Sequence, residues 1–165
     1  MIDITIEKLR AIWRGTIESG GGHCPTCDRW GKVYSRPINR TMARALIWLA
    51  YAEYDAMGWV DVANSAPRWL VQSNQLSTLR WWGLIERAPN DGKNKTKHSG
   101  VWRVTGAGFD FVHYGARIPK NVFTYNDTVQ GFGTETVTIK DCFTDNFDYN
   151  AIMSAHISAG ANQWT

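Results

Sequence analysis

Long apolar runs are missing from this chain. None approaches the roughly 20 residues that a membrane-spanning helix needs, so no membrane partner is expected. A secretory leader is missing as well. The opening MIDITIEKLRAIW is a charged amphipathic pattern, not a basic head before an apolar stretch. Cysteine is scarce, with three copies, Cys24, Cys27 and Cys142. An odd, small number without a leader argues against a disulfide framework and for a reducing cytoplasm. Charge is thin: charged residues make up 20% and the formal net charge is +3, so the overall balance selects no class of partner. No internal repeat is visible. Enzyme signatures are missing too. Gly106-Ala107-Gly108 follows a strand pattern but lacks the third glycine of a dinucleotide loop. The acids are scattered, the histidines lack metalloprotease spacing, and adjacent residues such as His23 and Cys24 seldom aim at each other. The expectation is no catalytic residue and no enzyme.

What is present is more telling. At 165 residues and 18.7 kDa there is room for one domain, or one with an appendage. The nine tryptophans are far above the ordinary share. Tryptophan serves cores, interfaces and base stacking alike, so the excess points to a partner surface without naming the partner. The charges are also unevenly spread. Arg29, Lys32, Arg36, Arg40 and Arg44 occur in one stretch with no acid, and Arg87, Lys93, Lys95, Lys97 and Arg103 in another against Asp91 alone. From Pro119 onward, Lys120 and Lys140 face Asp127, Glu135, Asp141, Asp145 and Asp148. A basic body with an acidic tail fits a polyanion on one side; ordinary solvated surface gives the same counts.

The periodicity predicts a first helix over residues 3–18, with Ile6, Leu9, Ile12 or Trp13, and Ile17 on one face, ended by Ser19-Gly20-Gly21-Gly22. His23-Cys24-Pro25-Thr26-Cys27 then reads as a Cys-x-x-Cys knuckle. Two thiolates on one tight turn can chelate zinc. His23, His98, His113, His156 or Cys142 would have to complete the four ligands, because no second Cys-x-x-Cys exists. Zinc, a redox pair and a plain reduced turn all stay open. The strongest helix runs over residues 39–57, capped by Asn39 or Thr41. Its apolar residues cover more than half the circumference, which predicts a central helix. Gly58 ends it, and Trp59-Val60-Asp61-Val62 alternates like a short strand.

Asn64 or Ser65 is expected to cap a second helix with Pro67 in its first turn, with Trp69, Leu70 and Val71 inward. Ser73-Asn74 makes a turn, and a third helix covers residues 75–82, with Leu76 and Leu79 inward. Two short helices and a tight turn, the second ending at a strand, is helix-turn-helix order. Asn74, Gln75 and Thr78 then lie on the outer face, where Asn or Gln can pair with adenine and Thr can meet a phosphate or a thymine methyl. Polar residues on an outer face are also commonly just solvated. Leu84–Arg87 and Val101–Val104 read as two strands joined by a turn carrying Lys93, Lys95 and Lys97, which can neutralise phosphates or merely keep strand edges soluble. Helix, strand, basic turn, strand is the order of a winged helix. Trp81 and Trp82 read as packing at the helix-to-strand corner. Thr105 caps a further helix over residues 106–114, with Phe109 and Val112 inward. A β-hairpin follows, from Val122–Tyr125 and Thr136–Ile139, then a short helix over residues 147–153.

Trp82-Gly83-Leu84-Ile85-Glu86-Arg87, the basic turn, and Val101-Trp102-Arg103-Val104-Thr105-Gly106-x-Gly108 resemble the strand–wing–strand of winged helix-turn-helix domains. Across about residues 24–153 the chain is also similar to an uncharacterised group of bacteriophage and prophage proteins. The shared features are the Cys-x-x-Cys knuckle with Lys32, Tyr34 and Arg36, then Met42, Ala43 and Leu46, then Ser99 to Thr105, then Pro119, Lys120, Tyr125 and Asn126. The expected fold is therefore α+β. Residues 1–22 form an N-terminal helix and glycine joint, 23–37 the knuckle, and 38–116 a winged helix. Residues 117–157 form a β-hairpin and short helix, and 158–165 a tail. Two functions follow. One is binding of duplex DNA, with Asn74, Gln75 and Thr78 at the bases, Lys93, Lys95 and Lys97 on phosphates, and Arg36, Arg40 and Arg44 extending the positive surface. The other is binding and inhibition of a host defence or transcription protein, in the cytoplasm of an infected bacterium, with the first helix free to act as a homodimer arm. Zinc, if bound, would sit on Cys24, Cys27 and His23.

Overall fold

The computed structural model describes residues 4–56, 58–89 and 100–143. The architecture is α+β. In chain order the elements are α1 (Ile6–Glu18), β1 (Gly22–His23), β2 (Trp30–Gly31), β3 (Tyr34–Pro37), α2 (Arg40–Ala56), β4 (Val60–Asp61), α3 (Val62–Ser65) and α4 (Arg68–Ser73). A 3-10 helix (Leu76–Trp82), β5 (Ile85–Arg87), β6 (Val101–Val104) and α5 (Gly106–His113) follow. The last are β7 (Ile118–Pro119), β8 (Asn121–Tyr125), β9 (Thr128–Phe132), β10 (Thr136–Val137) and a 3-10 turn, Lys140–Cys142. Among the described residues, no helix is long and apolar enough to cross a membrane.

The core is built around α2. Asn39 starts it: its Oδ1 accepts from the Met42 N–H at 3.0 Å, meeting one of the donors that a helix N-terminus leaves open. Met42, Leu46, Ile47 and Leu49 are buried, as are Ala43 and Ala45, whose small side chains let neighbours approach. Each large aliphatic side chain buried in this way stabilises the fold by about 1.5–3 kcal/mol. A sheet of three strands lies against α2 in the order β4-β6-β5, all antiparallel, with Val60 opposite Trp102 and Ile85 opposite Val104. The Glu53 carboxylate accepts from the Val104 N–H at 2.7 Å, tying α2 to the sheet. Thr105 caps α5 by accepting from the Gly108 N–H at 3.2 Å. Gly108 is buried because α5 presses onto Leu84: a Cβ there would run into the Leu84 carbonyl oxygen and lie 2.7 Å from Val104 Cγ1.

A second sheet, in the order β3-β8-β9, brings the strand before α2 against the late hairpin. This corrects the expected pairing of Val122–Tyr125 with Thr136–Ile139. Asn126 and Asp127 both adopt left-handed backbone, with φ of 49° and 61°. Two such residues make a tight two-residue hairpin turn, so the chain folds straight back through Thr128–Phe132. Thr136–Val137 pairs instead with Ile118–Pro119. Smaller corrections have equally local causes. Thr5 caps α1, which begins at Ile6, not at residue 3. The strand expected over Trp59–Val62 is cut to Val60–Asp61, because the Asp61 carboxylate turns to cap α3. Pro67 occupies the cap position of α4, in place of Asn64 or Ser65, and Val71 is exposed. In α5 the inward residues are Phe111 and Val112, while Phe109 is 47% exposed and tilts onto the His113 ring. Lys93, Lys95, Lys97, His98 and the short helix expected over residues 147–153 lie outside the described residues.

Candidate nucleic-acid interface

The segment between α4 and β5 decides which side chains can meet a ligand. Asn74 ends α4 in the left-handed region, at φ 56°, a conformation that asparagine tolerates better than most residues. The helix that follows is 3-10, not α. Its side chains at i and i+3 eclipse, so the segment sorts into three stripes. Leu76, Leu79 and Trp82 are buried. Gln75, Thr78 and Trp81 are half-buried. Asn74 and Arg80 are exposed, with the half-buried Ser77 between them.

This register separates the three residues expected at the bases. Asn74 is open to solvent. Gln75 buries its Oε1, which finds no hydrogen-bond donor among the described residues. The Thr78 hydroxyl donates to the Gln75 carbonyl at 2.5 Å and so serves its own turn. Arg80, by contrast, is exposed. Within the 3-10 helix the three-residue period puts Ser77 and Arg80 on one stripe, and Asn74, the left-handed residue that ends α4, precedes it.

That stripe faces a concavity of about 340 Å³ between the helical segments and the sheet. Its polar lining is Asn74, Ser77, Arg80 and Arg87, and its apolar lining includes Leu70, Val71 and Trp102. Arg87, at the end of β5, is exposed. Arg80 makes an ion pair with Asp127 at the β8–β9 turn, and both side chains are substantially open to solvent. Such a pair contributes at most about 1 kcal/mol, so an arriving phosphate can replace the carboxylate at little cost.

Trp81 links this groove to the second sheet. The Arg80 and Arg36 guanidinium carbons lie 5.9 and 5.5 Å from its ring centroid, and Arg36 is also 5.5 Å from the Tyr34 ring. Arg36 further donates from Nε to the Thr124 hydroxyl at 3.3 Å. The result is a band of alternating cations and rings, Arg80–Trp81–Arg36–Tyr34, continuous with the groove. Arg40 and Arg44 stand one turn apart on α2, over Phe143 at 5.8 Å and Trp69 at 4.4 Å. Burial, and after it the neighbouring Arg40, lowers the Arg44 pKa from its ordinary value. Trp82 is corner packing, as its position implied: it is buried, and its indole N–H donates to the Pro119 carbonyl at 2.7 Å.

The knuckle stands apart from this band. Strands β1 and β2 pair on either side of it, with Gly22 opposite Gly31. Cys24 is half-buried, Cys27 is exposed and both are free thiols. Backbone N–H groups of Thr26 and Cys27 hold the Cys24 pKa down to about 7. The His23 ring points its Nδ1 at the Asp28 carbonyl, 2.8 Å away. No three His, Cys, Asp or Glu side chains gather as a metal cluster among the described residues, so His23 is not brought together with Cys24 and Cys27. Cys142 and His113 are placed elsewhere, Cys142 in the core and His113 at the end of α5.

Arg80, Arg87 and Ser77 line the groove and were not among the candidates expected from the sequence. Ser77 and Arg80 are at i, i+3, a spacing that a 3-10 helix and an α-helix share, so it did not single them out. No family model matches the chain, and no curated protein or solved structure matches it.

Proposed function

We propose that this chain is a DNA-binding protein built on a winged helix-turn-helix, encoded by a bacteriophage or prophage and acting in the cytoplasm of the infected bacterium. The observation that carries the reading is the groove in which Asn74, Ser77, Arg80 and Arg87 converge. The connectivity supports it: α2, β4, short helices, β5 and β6, with β6 between the other two strands. In that arrangement the β5–β6 connection, which carries Lys93, Lys95 and Lys97, springs from the strand that ends at Arg87. The Asn74 amide has the donor and acceptor that adenine requires, and the arginines suit guanine edges or phosphates. Arg36, Arg40 and Arg44 extend the positive surface, and Gln75 and Thr78 shape the segment from behind. The test is a titration of fluorescent duplex DNA with the wild-type chain and with Ser77→Glu. A carboxylate placed in the groove repels phosphate, so the variant should lose binding while melting like the wild type. Equal binding by both would overturn the placement of the site.

A second reading has its own observation. Ile4 just before α1, and Ile6 and Ile12 on it, are 48%, 63% and 53% exposed, an apolar arm that suits a host defence or transcription protein as partner. Capture of one host protein at stoichiometric ratio, with no affinity for DNA, would replace the first reading with this one.

A further inference from the structure

We propose that the band Arg80–Trp81–Arg36–Tyr34 binds an unpaired nucleic-acid strand, with a base stacked on the Tyr34 ring and phosphates held by Arg36 and Arg80. The inference does not rest on duplex binding in the groove: Tyr34 and Arg36 stand on the second sheet, and only Arg80 belongs to both places.

Tyr34 and Arg36 are alternate residues of β3, so both side chains leave the same face of the strand. Tyr34 lies opposite Thr124 and Arg36 opposite Val122, and both of these β8 residues are buried. Strand β3 is an edge, with β8 on one side only. Its side chains therefore stay open where those of β8 are covered: Tyr34 is 46% exposed, and Arg36 is exposed. Trp81 comes to this edge from the 3-10 helix. The Arg36 guanidinium lies between the two rings, 5.5 Å from each centroid, and Arg80 lies 5.9 Å from that of Trp81.

The charges of this band want an anion. Among the described residues, Arg36 has no carboxylate at ion-pair distance. Its Nε donates to the Thr124 hydroxyl at 3.3 Å, which fixes one edge of the guanidinium and leaves the terminal nitrogens for an incoming acceptor. Arg80 meets Asp127 in a solvent-open pair that a phosphate can displace. Phosphate matches the planar guanidinium with two parallel hydrogen bonds. The rings then decide which phosphate polymer fits. In a duplex the base faces are stacked on one another and closed to side chains. In an unpaired strand they are open, and they stack on exposed aromatic rings and on arginine planes. Cations that follow a backbone, interleaved with rings that take its bases, are the composition of a single-strand surface.

The experiment titrates fluorescent probes of equal length with the full chain: oligothymidylate, oligouridylate, and an abasic strand that keeps the phosphates without the bases. A duplex is run alongside. The expected result is binding of a base-bearing strand, DNA or RNA, at least about 5-fold tighter than of the abasic one. Tyr34→Ala should weaken the base-bearing strand by about 5- to 150-fold, the range for one stacked base, and leave the abasic strand unchanged. Tyr34→Phe should keep the wild-type affinity. Arg36→Gln should lower the slope of log K against log salt by about 0.7, one phosphate contact on a single strand. Equal binding of abasic and base-bearing strands would overturn the proposal, leaving a plain polyanion surface that an acidic peptide would also fit. Equal binding by Tyr34→Ala and wild type would overturn it too. Duplex binding without single-strand binding would sink this inference and spare the groove; single-strand binding without duplex binding would do the reverse. The abasic comparison uses the wild-type chain, so the test stands even where Tyr34→Ala fails to fold.

Discussion

Arg87 lines the groove and Arg36 stacks on Trp81, and both arginines are exposed. If both neutralise phosphates, replacing them with glutamine has a calculable effect. Each phosphate contact on duplex DNA contributes about 0.9 to the slope of log K against log salt. Losing two lowers the slope by about 1.8. The fold should survive: the stack of Arg36 on Tyr34 and Trp81 is a surface interaction, 5.5 Å to each centroid, and such stacks contribute about 0.5–1 kcal/mol. The assay is fluorescence anisotropy of a random-sequence duplex between about 50 and 200 mM salt, with thermal melting run alongside. A matched Arg36→Lys, Arg87→Lys protein keeps both charges and loses the planar guanidinium. Its slope should equal the wild-type value. A glutamine pair with an unchanged slope would refute the reasoning. So would lysine and glutamine pairs that fall equally, because stacking rather than charge would then govern binding.

Gly108→Ala should destabilise the chain by about 1–3 kcal/mol in denaturant unfolding, the usual range for overpacking, because the new Cβ meets the Leu84 carbonyl. Unchanged stability would mean that α5 sits further from Leu84. Asn74→Gly should fold normally, since glycine accepts the 56° φ, and should lose discrimination between adenine and the other bases; retained discrimination would remove Asn74 from the bases. In the metal-free, reduced chain, Cys24 should be alkylated with a midpoint near pH 7, because its thiolate is favoured by the turn amides. Buried Cys142, with its pKa near 11, should react only after unfolding, which mass spectrometry of the labelled peptides reads directly.

The parts of the fold legible in the sequence were those where one local signal dominates. Asn39 announced α2 by its capping side chain, and the broad apolar arc of α2 announced its central place. Thr105 announced α5 in the same way. The strands Ile85–Arg87 and Val101–Val104 were visible because Gly83 and the polar turn bound them. The β3-β8-β9 sheet was not visible, because Tyr34 and Thr124 are paired across the whole of α2 and the first sheet, and neither strand alternates cleanly enough to show its partner. The groove was half legible. Leu76 and Leu79 are at i, i+3, which fits a 3-10 helix and an α-helix equally, so their inward face was found under either reading. The outer face was not found, because the left-handed Asn74 breaks any helical period across it, and the groove is lined by Asn74, Ser77 and Arg80 but not by Thr78. The Arg36–Trp81–Arg80 stack joins residues 45 positions apart, and no spacing rule reports such a contact.

The most direct measurement is the affinity of the wild-type chain for random duplex DNA as salt is raised. If the DNA reading holds, about six phosphate contacts drawn from Arg36, Arg40, Arg80, Arg87 and the three lysines of the β5–β6 connection would give a loss of about 1,000-fold between 50 and 200 mM salt. That loss is the predicted result. Absence of binding at the low end, or binding that ignores salt, would contradict the account.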